Sequence, residues 1–181
     1  MIWFRPAIRF SPFAVVLALA ACSPGAEEAT PTLTPSPAEA PATAAPPGPD
    51  AETVGGDGSA IDLQALTAED LSAETLPGEL ACSFSGADDQ LLLLARGDVA
   101  SGEPAVGVVK VSGYVERIAA PGGYDAMLDG ANFAGRGKTV LVEVTGPAQG
   151  GGESPPRPGA LTYQRADGAS RLFQGLWTCG P

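Results

Sequence analysis

Few side chains in this 181-residue chain are equipped for acid–base or metal chemistry, and one class is missing altogether: there is no histidine. Ser-His-Asp and Cys-His nucleophile pairs are therefore excluded, as is any imidazole metal ligand. The only lysines, Lys110 and Lys138, do not follow a serine at Ser-x-x-Lys spacing. The three cysteines, Cys22, Cys82 and Cys179, form no Cys-x-x-Cys, and without histidine they make no expected metal site. Carboxylates remain, for example Asp125 with Asp129, or Asp88 with Asp89. Glycosidase-type chemistry would need two of them across a cleft with one pKa raised. All four read instead as residues of solvated loops and turns. Gly135-Arg136-Gly137-Lys138-Thr139 resembles a phosphate loop but lacks the first glycine, since position 132 is Asn, and a strand pattern follows where a helix would be needed. It reads as a turn before a strand. No catalytic residue, cofactor or metal is assigned, and the chain is expected not to be an enzyme.

The amino terminus carries a different kind of chemistry. Arg5 and Arg9 precede the apolar run from Phe13 to Ala21, which is shorter than the roughly 20 residues a bilayer span requires. A basic start and a short apolar stretch form an export-signal pattern. The run ends in Leu19-Ala20-Ala21-Cys22, which resembles the lipobox of bacterial lipoproteins. The resemblance implies cleavage after residue 21, a diacylglyceryl thioether on Cys22 and acylation of the new amine. Several acyl chains give stable anchoring where a single one is marginal. Ser23 in place of Asp resembles the outer-membrane-sorted class, so the expected location is the cell envelope, lipid-anchored at the periplasmic face of the outer membrane. With Cys22 lipidated, Cys82 and Cys179 remain as an expected disulfide in an oxidising compartment. It would close a loop of about 97 residues, contributing ~4–5 kcal/mol on the chain-entropy view.

Four regions follow: a signal peptide over 1–21, a tether over 22–58, short helical turns over 59–78 and a β-rich domain over 79–181. The tether is dominated by Ala, Pro, Thr, Gly and Glu, and cannot bury enough apolar surface to offset its ordering entropy, so it is expected to be disordered. From 23 to 77 there are ten acidic and no basic residues; from 78 to 181 there are eleven acidic and eight basic. Nucleic acid is excluded as a partner by the sign of this charge. Leucines 63, 66, 71 and 76, with Thr67 and Asp70 spaced as a capping box, predict one or two helical turns ended by Pro77-Gly78.

Beyond Glu79 the pattern is β. Residues 80–84, 90–96, 105–118, 139–145, 161–165 and 171–179 read as strands, with Gly107 and Gly113 as bulges or bends. Asp167-Gly168 marks a hairpin between the last two. Phe173, Trp177 and Cys179 share a face, which places Trp177 beside the expected disulfide. Residues 119–137 read as a Gly-rich excursion, and 147–160 as a long flexible loop. The expected fold is a small antiparallel barrel or sandwich, mainly β, closed by one disulfide and preceded by the tether.

Gly122-Gly123-Tyr124, Asp129-Gly130, Phe133, Arg136-Gly137 and Thr139-Val140 occur in an order similar to the functional loop of the membrane-bound inhibitors of c-type lysozyme. Those small lipoproteins are disulfide-closed β-barrels with one cysteine near each end of the domain. The resemblance covers residues 80–181 in outline. It implies that this loop enters the lysozyme cleft, where that family uses a Ser and a Lys. Here the Ser position holds Pro121 or Gly122, and the Lys position holds Arg136, with Lys138 nearby. Independently, Tyr124, Phe133, Arg136 and Lys138 are the residue types that binding surfaces favour. The expectation is a non-enzymatic module that binds an extracytoplasmic protein or glycan through this loop. Lysozyme inhibition and a structural envelope role stand as alternatives.

Overall fold

The computed structural model describes residues 50–181. The signal segment, Cys22 and the tether up to residue 49 lie outside the described residues. Eight antiparallel strands form the wall: β2 (Leu80–Ser85), β3 (Leu91–Gly97), β4 (Ala105–Val111), β5 (Tyr114–Ala120), β6 (Gly130–Gly135), β7 (Lys138–Val144), β8 (Arg157–Arg165) and β9 (Ser170–Gly180). A two-residue strand, β1 (Leu63–Gln64), precedes them. β4 pairs with β3 on one side and β5 on the other, so the order β4-β3-β2-β9-β8-β7-β6-β5 returns to its start. Of the expected barrel or sandwich it is the barrel that forms, and its closure removes the unpaired edges an open sheet would present.

Alternation fills the interior. Phe84, Leu93, Phe133, Val140, Leu161, Phe173 and Trp177 point inward and are essentially buried. Gly175 belongs to the same inward row: a Cβ there would lie 2.8 Å from the Phe84 ring, so the missing side chain is what seats that phenyl group. Cys82 and Cys179 are cross-strand partners on β2 and β9 and are joined by a disulfide with Cα atoms 4.1 Å apart. Trp177, one inward step from Cys179, faces Phe84 across the same pair of strands.

Three expectations need correcting. The stretch 105–118 is a hairpin rather than one bent strand: Ser112 and Gly113 both take positive φ, the two-residue turn whose twist suits a tight hairpin. The excursion over 119–137 contains β6, all six residues of which pair with β7. The loop at 147–160 ends early, because β8 begins at Arg157 and pairs with β9 from there. Polar and glycine-rich composition suggests loops, but a strand whose neighbours supply its hydrogen bonds needs no apolar run of its own.

The tether boundary also moves. Residues 50–58 were assigned to the tether, yet Val54 and Ser170 exchange backbone hydrogen bonds of 2.9 Å, and Ala51 N donates to Leu172 O. β2 and β3 stop short at this end of the barrel, leaving β9 and β4 with open edges. The segment 50–64 fills that notch, pairing with β9 through Val54 and with β4 through β1. Ile61 and Leu63 are buried in the core beneath it. Helix α1 (Ala68–Ala73) follows with the expected capping box: Thr67 Oγ1 accepts from Asp70 N, and Asp70 Oδ2 accepts from Thr67 N at 2.8 Å. Asp70 also binds Lys110 of β4 at 2.8 Å, and Glu74 binds Arg117 of β5 at 2.9 Å, which clamps the helix to the outer wall. Val108, between them and facing outward, is fully buried.

Candidate functional site

The four residues of the expected binding loop do not form one site. Tyr124 and Phe133 belong to the hydrophobic core, at 9% and 0% exposure. The loop after β5 folds inward over the disulfide end of the barrel: Met127 is completely buried, and its carbonyl accepts a 2.8 Å hydrogen bond from Trp177 Nε1. This segment is a plug, so its aromatics pack rather than project. Lys138 lies at the opposite end, largely covered and ion-paired with Glu116 of β5. Arg136 is exposed at the tip of the β6–β7 hairpin and forms no ion pair among the described residues. Strand β6 alone separates Arg136 from the plug by roughly 17 Å. An order of residues along the chain cannot show that a strand carries them to opposite poles.

Two openings flank these residues. One, of about 240 Å³, is lined by Tyr124, Leu128, Arg157 and the disulfide's Cys179. The other, of about 440 Å³, lies between the β6–β7 and β8–β9 turns and is lined by Gly137, Lys138, Thr139, Gln164 and Arg165. The two turns are joined by Ala166 N donating to Gly137 O at 2.9 Å.

The rim around the second opening is a self-satisfied polar layer. Glu116 receives Lys138 and stands 3.5 Å from the Tyr163 hydroxyl. Burial, reinforced by the negative charge of Glu116, pushes the Tyr163 phenol up to about 12. Arg165 donates to Asp57, to Ser59 and to Asp167, tying the amino-terminal segment to the β8–β9 turn. Hydrogen bonds from Ser59, then from Arg165, hold the Asp57 carboxyl down at about 2. Arg171 lies over the Phe173 ring at 4.7 Å and donates to the carbonyls of Ala51 and Ile61. Sequence reasoning missed this layer, because Arg165 and Asp57 are brought together only when the amino-terminal segment docks.

The carboxylate pairs are likewise separated by their tasks. Asp125 Oδ2 accepts from Ala100 N at 2.6 Å, whereas Asp129 Oδ1 accepts from Arg157 at 2.6 Å. Asp88 and Asp89 form the β2–β3 turn, both at φ +56°. No group of three or more Cys, Asp or Glu side chains is placed to hold a metal ion among the described residues. Among the same residues, no helix is long and apolar enough to cross a membrane.

Comparison with protein-family models, with curated proteins and with solved structures finds no match for this chain.

Proposed function

We propose that this chain is a lipid-anchored binding module of the bacterial envelope, without catalytic activity, displayed on its Pro-rich tether at the periplasmic face of the outer membrane. The lipobox-like Leu19-Ala20-Ala21-Cys22 supports the anchoring part of this reading. The observation that carries the rest is the barrel interior, which is packed with apolar side chains such as Phe84 and Trp177 and holds the Lys138–Glu116 ion pair towards one end. With the interior so packed, recognition is assigned to the outer surface and the openings at its ends. The test has two parts. Mass spectrometry of the protein purified from its host membrane is expected to find a diacylated, N-acylated Cys22 as the first residue; an unmodified Cys22 would remove the anchor. Photocrosslinking in intact cells from surface positions on the wall is expected to give one discrete adduct from a single face. Adducts from no face would leave the envelope-structural role instead.

The reading of c-type lysozyme inhibition draws support from one feature, a closed eight-stranded barrel with a cysteine on its first and last wall strands. The loop residues that suggested it lie at opposite ends of the barrel. A lysozyme turnover assay with the mature chain at micromolar concentration decides it, and full residual turnover would end it.

A further inference from the structure

One surface groove combines apolar lining with two carboxylates that form no ion pair among the described residues. Val106 of β4 and Ala119 of β5 are cross-strand partners on the outside of the wall, and both are only partly covered. Pro77, after α1, and Pro104, at the end of the 98–104 loop, line the same space, which is about 450 Å³. Asp98 and Glu103 line the same space and form no ion pair among the described residues. Arg96 of β3 is the cross-strand partner of Val106 and forms no ion pair among the described residues, its guanidinium donating to Glu79 O at 3.1 Å, whereas Arg117 is committed to Glu74 and Thr75.

The loop that carries Asp98 is held in place. Ala100 sits at φ +51°, its N–H fixed by Asp125 at 2.6 Å, while Tyr124 N binds Asp98 O at 3.0 Å. Val99, between these anchors, is 45% exposed. The groove is thus a rigid apolar strip with acidic walls, so an occupant would bind without ordering the loop first.

We infer that this groove docks a cationic polypeptide segment, with an aliphatic side chain on Val106 and Ala119 and flanking Lys or Arg at Asp98 and Glu103. The inference rests on the binding-module reading and names its partner class. Charge selects this occupant over the alternatives. Five of the eight cations over residues 50–181 are spent in internal ion pairs, against eighteen acidic residues there, so the module's field is negative and attracts positive partners. A second copy of the domain, or its own tether with three carboxylates and no cation over 23–49, would be repelled.

The test titrates the mature chain against a fluorescent peptide of alternating Lys and Leu, with a Glu–Leu peptide and spermine as comparisons. Anisotropy is expected to rise with the Lys–Leu peptide alone. Asp98→Asn with Glu103→Gln is expected to weaken its affinity at least about fivefold, and Val106→Ser by a similar factor. Asp88→Asn with Asp89→Asn, an equal charge change at the far end, should alter it less than about twofold. Amide shifts on titration should centre on Val99, Val106 and Ala119. Equal weakening by both acidic pairs, spermine displacing the peptide with Val106→Ser silent, or no binding at all would overturn the groove assignment. The crosslinking result would still decide the module reading independently.

Discussion

The two ends of the barrel are closed by different physics. At the disulfide end, long loops emerge from the strands, and closure combines a covalent bond with a buried plug: Cys82–Cys179 ties the first wall strand to the last, and Met127 fills the opening beneath Trp177. At the other end the strands are joined by tight turns, two of the strands stop short, and the amino-terminal segment 50–64 completes the closure with backbone pairing, Ile61 and the Asp57–Arg165 ion pair. One end is locked by a bond that persists at any pH at which the chain folds. The other depends on a peptide strap whose contacts are non-covalent and partly ionic. This difference predicts a barrel that is not uniformly stable, in which the strap opens locally while the disulfide end remains intact.

Breaking the covalent end should have the largest effect. Replacing both Cys82 and Cys179 by Ala is expected to lower the unfolding free energy by about 4 kcal/mol, read from urea denaturation. A loss below about 1 kcal/mol would mean that the plug alone holds that end. Next comes the strap. Ile61→Ala should cost about 3 kcal/mol through the cavity it leaves. Hydrogen exchange sharpens this test, because the amides of Val54 and Ser112, bonded to Ser170 O and Asp62 O, should lose protection before those of β7 and β8. Simultaneous loss throughout the barrel would show the two ends to be a single cooperative unit. Thr67→Ala removes a helix cap on the outer clamp and should cost about 1 kcal/mol in thermal or chemical denaturation.

Acid should distinguish the ends most gently. Asp70 is held at about 2, chiefly by its hydrogen bond from Lys110 and then by Thr67, and Asp57 likewise by Ser59 and Arg165. Both folded values lie below the ordinary 3.8, so these groups stabilise the fold above that pH. Their contribution is lost as pH falls through 3.8 towards 2. Exchange measured across that interval should show the strap and α1 loosening while the disulfide end is unchanged; equal loosening of both would contradict the division.

Several parts of this structure are legible in the sequence alone. The capping box at Thr67 and Asp70 announced α1, because that spacing is local chemistry within one turn. Asp167-Gly168 announced its hairpin for the same reason, and the parity of Phe173, Trp177 and Cys179 placed the indole beside the disulfide because strands alternate strictly. Strand β6 was hidden, since Gly-Ala-Asn-Phe-Ala-Gly carries no alternating apolar signal and becomes a strand only by pairing with β7. The strap was hidden too: its composition continues that of the tether, and its partners Ser170 and Val111 lie far along the chain.

The sequence by itself determined local facts: that histidine is missing, where the α1 cap and the Asp167-Gly168 turn fall, and that the domain is mainly β. Only the tertiary structure decided which residues share a place. Tyr124, Phe133, Arg136 and Lys138 stand within fifteen positions of one another, yet two fill the core, one is ion-paired and one faces solvent. Conversely, Val106 and Ala119, Asp98 and Pro77 become neighbours only when the wall closes on itself. The physical reason is that side-chain direction and strand pairing are set by long-range hydrogen bonds and burial, quantities that a run of neighbouring residues does not contain.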